Sequence, residues 1–169
     1  MMRLPLALLL TALSLASVDS KALTSDRQKN IHVQADSAIV DDKSGQSTYT
    51  GNVVIDQGTL HITADKVQIT SKQNEVVKVV ASSNEHSEHL AHYQQQPDNS
   101  QQLVQADARE ITWLVKERRL ELQGNATLKQ TKDSFFSGET IHYDVGTGTV
   151  NARSGSDAQV ETVFKPKQQ

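Results

Sequence analysis

The chain has 169 residues, a formal net charge of -3, no cysteine and three prolines. That balance lacks the basic patch with which nucleic-acid binders displace phosphate counterions, and the absence of thiols excludes disulfide staples and cysteine nucleophiles. The sequence also contains no Gly-x-Ser-x-Gly elbow, no His-Glu-x-x-His and no phosphate-cradling glycine loop, so no catalytic residue and no cofactor is assigned.

Met1-Met2-Arg3 leads into an uncharged apolar stretch over residues 4–15 and then the small residues Ala16 and Ser17, the layout of a secretory signal peptide. The stretch falls short of the roughly 20 residues that a membrane-spanning helix needs. Residues 1–20 are therefore expected to be removed on export, with cleavage after residue 22 as the alternative. Residues 23–164 are expected to form one domain, and 165–169 a polar tail. Without disulfides, an exported chain of this kind depends on packing and backbone pairing, which suits a continuous sheet.

Alternation of apolar and polar residues recurs along the mature chain, so strands are expected throughout. The pattern is duplicated. Val33-Gln34-Ala35-Asp36 returns as Val104-Gln105-Ala106-Asp107, Gly51-Asn52 as Gly124-Asn125, Ile62-Thr63-Ala64-Asp65-Lys66-Val67 as Phe136-Ser137-Gly138-Glu139-Thr140-Ile141, and Val77-Lys78-Val79 as Val150-Asn151-Ala152, at offsets of 71 to 74 residues. A small residue followed by an acid marks four places: Ala35-Asp36, Ala64-Asp65, Ala106-Asp107 and Gly138-Glu139. Around each, the apolar positions change parity. Ile31, Val33 and Ala35 give way to Ala38 and Val40, and Leu60, Ile62 and Ala64 give way to Val67 and Ile69.

Side chains of a strand alternate strictly between faces, so a repeated phase slip predicts a bulge or tight corner at each pair. The acid there is expected to accept hydrogen bonds from backbone N–H groups that the corner leaves unpaired. Gly51 and Gly124, inside otherwise regular strands, predict matching kinks in the two copies. Residues 84–102, with the run Gln94-Gln95-Gln96-Pro97, read as a polar connection between the copies. Residues 24–30 read as a polar leader, and neither segment is expected in the core.

The inward set predicted by alternation is Ile31, Val33, Val53, Ile55, Leu60, Ile62, Val67, Ile69, Ile111, Trp113, Val115, Leu120, Leu122, Leu128, Phe136, Ile141 and Tyr143. Alternation specifies a buried face and leaves open whether a ligand fills it. His86, His89 and His92 carry donor types suited to zinc or nickel. On an extended strand, however, residues 86 and 89 point to opposite faces, so no metal site is assigned.

Ile31-His32-Val33-Gln34-Ala35-Asp36, Tyr49-Thr50-Gly51-Asn52-Val53-Val54-Ile55 and Ile62-Thr63-Ala64-Asp65-Lys66-Val67, with their second-copy counterparts, resemble the OstA-like family of LptA-type periplasmic lipopolysaccharide export proteins. The resemblance covers nearly the whole mature chain. It implies an all-β fold, a twisted antiparallel β-jelly roll of two similar halves open at its ends. It further implies an apolar interior, formed by the inward set, that accepts the acyl chains of lipid A without catalysis.

In the family, terminal edges join molecules head to tail and meet LptC at the inner membrane and LptD at the outer membrane. By position, the N-terminal edge is Ile31, Val33 and Ala35, and the C-terminal edge is Ala158, Val160, Thr162 and Phe164. Residues 85–92 depart from the family pattern, which has a plain strand there. From the residues alone, a self-assembling β-structural envelope protein without a lipid ligand remains the alternative.

Overall fold

The computed structural model describes residues 26–97, 102–130, 134–156 and 158–164. The expected signal peptide and the tail at 165–169 lie outside the described residues. A 3₁₀ turn, Asp26–Gln28, precedes twelve strands: β1 His32–Gln34, β2 Ser37–Asp41, β3 Gln46–Gln57, β4 Leu60–Lys72, β5 Glu75–Ser82, β6 Ala91–Gln95, β7 Val104–Ala108, β8 Glu110–Leu114, β9 Arg119–Gln130, β10 Ser134–Asp144, β11 Thr149–Arg153 and β12 Glu161–Phe164. All pairings are antiparallel.

Each of the four long strands changes partner halfway along. β3 pairs with β2 through residues 46–50 and with β1 through 54–56. β4 pairs with β6 through 61–63 and with β5 through 66–72. β9 and β10 do the same, with β8 and β7 and with β12 and β11. Two layers result, in the orders β1-β3-β4-β6-β7-β9-β10-β12 and β2-β3-β4-β5-β8-β9-β10-β11. In the middle they close into a ring, β4-β5-β8-β9-β7-β6. This is the twisted antiparallel jelly roll of two similar halves, and its terminal strands leave the ends open.

The kinks sit where the glycines predict them. Between β3 and β4 the register shifts between Thr50 and Val53, so that Gly51 and Asn52 together face Asp65. Between β9 and β10 it shifts opposite Gly124 and Asn125, facing Glu139. Gly51 (φ 82) and Gly124 (φ 79) are left-handed, as are Asn52 (φ 45) and Asn125 (φ 50) after them. A left-handed backbone favours glycine, and asparagine tolerates it better than most residues. A Cβ on Gly51 would collide with the Asp36 carboxylate, and one on Gly124 would lie 2.8 Å from Cβ of Arg109.

The duplication is real, but its register differs from that of the repeated words. Val33 pairs with Ile55 and Ala106 with Leu128. The Asp36 N–H donates to the Gly51 carbonyl (2.9 Å) and the Arg109 N–H to that of Gly124 (2.8 Å). Ala106-Asp107 therefore corresponds to Val33-Gln34, and the third corner is at Arg109 instead of at Ala106-Asp107. The error of two residues preserves parity, which is why the inward positions Val104, Ala106, Ile111 and Trp113 are all buried as the alternation requires.

The acids of the corners play less uniform roles than expected. Asp65 accepts a backbone N–H, from Asn84 at 2.8 Å. Asp36 takes the side-chain amide of Asn52 (3.0 Å), Asp107 takes the His92 ring (2.8 Å), and Glu139 is exposed.

Three further expectations are corrected. The supposed connection at 84–102 contains β6, whose Ala91 and Tyr93 are 0% and 1% exposed and belong to the core. Gln94 and Gln95 are strand residues: Gln94 accepts from the Gln105 amide at 2.9 Å across β6 and β7. The last strand begins at Glu161, so Ala158 and Val160 precede it and are exposed. Ala38 and Val40, inward by alternation, are exposed because β2 lies at the end of its layer with little of β1 opposite it.

Candidate functional site

The interior between the layers gathers most of the predicted inward set. Val53, Ile55, Leu60, Ile62, Val67, Ile69, Ile111, Trp113, Leu120, Leu122, Leu128, Ile141 and Tyr143 are at most 8% exposed. Val33, Val115 and Phe136 are partly buried against them. Ile31 is 42% exposed and stands at the mouth. Sequence reasoning missed Val79, Ala81, Ala91, Tyr93 and Ala108, all buried, and left Val104, Ala106 and Ala126 out of the inward set although their alternation puts them on the same face. The alternation of Val79 with Ala81, and of Val104 with Ala106 and Ala108, carries that signal in the sequence.

Toward the N-terminal end the interior widens into a cavity of about 600 Å³, within the usual size range of small-molecule sites. Its walls are Ile55, Leu60, Ile62, Ile69, Val76, Val79, Trp113 and Val115. Polar groups of Asp26, Lys29, Gln57, Glu75, Gln95 and Lys116 also line it. Tyr93 packs on Trp113 with ring centroids 6.0 Å apart. The apolar walls offer a place for hydrocarbon, at about 0.8 kcal/mol for each CH₂ taken from water.

The 3₁₀ turn borders this cavity. The Asp26 carboxylate accepts from the Thr59 N–H (2.9 Å), the Thr59 hydroxyl (2.6 Å) and the Gln95 amide (3.0 Å). Partial burial raises its pKa, but these bonds outweigh burial and hold it below the ordinary aspartate value. A depressed folded-state pKa gives stability that is present above the unfolded value, about 3.9, and is lost as the pH falls through the folded one. The Tm difference between wild type and Asp26→Asn is expected to be present at neutral pH and to vanish as acid protonates Asp26. Thermal denaturation across pH checks this, and a constant difference would contradict it.

Among the described residues, the two ends carry unpaired strand edges: β1 and β2 pair with β3 alone, and β11 and β12 with β10 alone. The predicted edges are thus edge strands at their cores, Val33 on β1 and Thr162 and Phe164 on β12. Sequence reasoning missed β2 and β11. The parity flip contains that information, because it makes β1 and β2 two parts of one bent strand, so that one being an edge makes the other one too. Among the described residues, the exposed large hydrophobics are Ile31, Ile39, Val40, Val160, Val163 and Phe164, all on or beside terminal strands. Phe164 leans edge-on against Phe136 at 5.8 Å.

The histidines do not converge. His92 is turned to Asp107, while His86 and His89 are exposed in the irregular segment 83–90. Arg109 pins that segment through the Asn84 and Ser87 carbonyls, at 3.3 and 2.8 Å.

Comparison with known proteins agrees with this architecture. Residues 32–149 match the family described as LptA/(LptD N-terminal domain) LPS transport protein. The chain is 36% identical to the lipopolysaccharide export system protein LptH of Pseudomonas aeruginosa, over 97% of this chain and 94% of that one. It is 34% identical to LptA of Escherichia coli K12, over 95% of this chain and 84% of that one. The crystal structure of LptH, the LptA-homologous periplasmic component of the lipopolysaccharide transport device of P. aeruginosa, superposes with a TM-score of 0.72 at 31% identity, covering 85% of this chain and all of that one. The relatives are named as transport proteins. The chain belongs to the LptA/LptD N-terminal domain family of lipopolysaccharide transport proteins.

Proposed function

We propose that this chain is a non-enzymatic carrier of lipopolysaccharide in the periplasm, with its N-terminal leader of 20 to 22 residues removed on export. The observation that carries the reading is the apolar cavity between the layers, open at the N-terminal end and continuous with a core made of the duplicated strands. Acyl chains of lipid A bind there through hydrocarbon burial, which is favourable and non-directional and so permits sliding. The terminal edges join copies head to tail, and by the same strand addition meet LptC at the inner membrane and LptD at the outer one. Their unpaired backbone groups and exposed apolar side chains support this use.

Photo-crosslinking residues test the reading. Placed at Ile62 or Trp113, which line the cavity, they are expected to trap lipopolysaccharide in cells; placed at the exposed Lys78, they are not. Uniformly negative cavity positions in folded protein would reject lipid carriage and leave the self-assembling structural protein as the surviving alternative.

A further inference from the structure

The segment between the 3₁₀ turn and β1 is an element that lipid carriage does not by itself explain. Residues 26–31 form no strand pairing until His32, yet Asp26, Lys29, Asn30 and Ile31 make one wall of the cavity. Side-chain hydrogen bonds tether this segment to the body. The Asp26 carboxylate holds the turn before β4 through Thr59 and the end of β6 through Gln95, and the Gln57 amide donates to the Lys29 carbonyl at 3.1 Å. Lys29, Asn30 and Ile31 are exposed, so little apolar burial fixes the wall they form. Such a segment detaches at a smaller free-energy cost than any packed strand of the ring.

The tether also connects to the cavity's aromatic wall. Tyr93 is 1% exposed, and its hydroxyl needs a partner in that position. It donates to Gln95 Oε1 at 2.5 Å, which leaves the amide NH₂ of Gln95 aimed at Asp26. The Tyr93 ring in turn rests on Trp113, which lines the cavity. Trp113 thus stands between an occupant of the cavity and Tyr93, and Gln95 stands between Tyr93 and the Asp26 carboxylate.

We propose that residues 26–31 are a releasable strap across the N-terminal mouth of the interior, and that Tyr93 and Gln95 link its release to occupancy of the cavity by an acyl chain. The proposal rests on the lipid-carrier reading, because the occupant is that reading's ligand.

Trp113 is the single tryptophan of the chain and reports directly on the mouth. In Asp26→Ala, acrylamide quenching of its fluorescence is expected to rise several-fold, and the uptake rate of the fluorescent fatty acid cis-parinaric acid to rise with it. A second variant works in the opposite direction. Asp26→Cys with Thr59→Cys, in a chain that has no other cysteine, locks the strap when oxidised. Oxidised, its quenching and uptake are expected to fall below wild type; reduced, without the Asp26 carboxylate, they are expected to rise to the level of Asp26→Ala. Unchanged quenching in Asp26→Ala, or no difference between the oxidised and reduced double variant, overturns the strap. Absence of fatty-acid uptake in every variant overturns the carrier reading instead, since the quenching measurements do not depend on a lipid.

Discussion

Leu122→Ala is expected to lower the stability of the fold by about 3 kcal/mol, the usual loss for a buried leucine that leaves a cavity behind. Leu122 is 2% exposed and lies in register between Ile111 of β8 and Ile141 of β10, both at most 1% exposed. Every neighbour is a strand of the closed ring or borders it, so collapse into the vacated space would bend several ladders together. For a domain of this size the melting temperature should fall by roughly 10 °C. Val40→Ala, at the same kind of alternating position, is expected to change stability by less than about 0.5 kcal/mol. Val40 is 58% exposed because the layer opposite it ends. Urea denaturation of the two variants checks the contrast; equal losses would mean that the end of the roll is packed like its middle.

That gradient bears on transport. In this conformation a hydrocarbon chain has room beside Leu60 and Trp113, whereas Leu120, Leu122, Leu128 and Ile141 are packed out of solvent. For the carriage proposed above, movement from one end to the other requires the two layers to part along the β9 and β10 half, where the bulge at Gly124, Asn125 and Glu139 interrupts the ladder between these strands.

Much of the architecture was legible because strand faces are a local property. Each residue's side depends on its neighbours, so Val53 with Ile55 and Leu120 with Leu122 declare the core without any long-range knowledge. Gly51-Asn52 and Gly124-Asn125 were legible for a similar reason: a left-handed pair inside a strand has few other sequences. The register between the copies was not. Val104-Gln105-Ala106-Asp107 matches Val33-Gln34-Ala35-Asp36 in letters, while the hydrogen bond from Arg109 to Gly124 sets the true correspondence two residues along.

β6 was hidden by chemistry. Gln94 and Gln95 look like linker, yet one side chain bonds across to β7 and the other satisfies the buried Tyr93 hydroxyl. From alternation alone, without the resemblance, the cavity was invisible, since the pattern that closes Leu122 into a core is the same pattern that leaves Trp113 facing open space.

The head-to-tail association proposed for the terminal strands gives an outcome that depends on backbone direction alone. β12 pairs with β10 through Phe135–Val163 and Phe136–Thr162. Along an edge strand successive N–H groups point alternately to the neighbouring strand and away from it. Of Thr162 and Val163, one therefore donates to β10 and the other faces the open side. Proline removes the donor at either place, but an edge strand tolerates it where the N–H faces outward. The two variants should separate. One is expected to keep the melting temperature of wild type and to weaken self-association about tenfold, the loss of a backbone bond of about 1 to 1.5 kcal/mol. The other should loosen β12 from β10 and lower both association and melting temperature. Sedimentation velocity over a concentration series, with a thermal melt of each variant, distinguishes them. Wild-type association in both would remove β12 from the interface and leave the edge of β11, beside it on β10, to carry the junction.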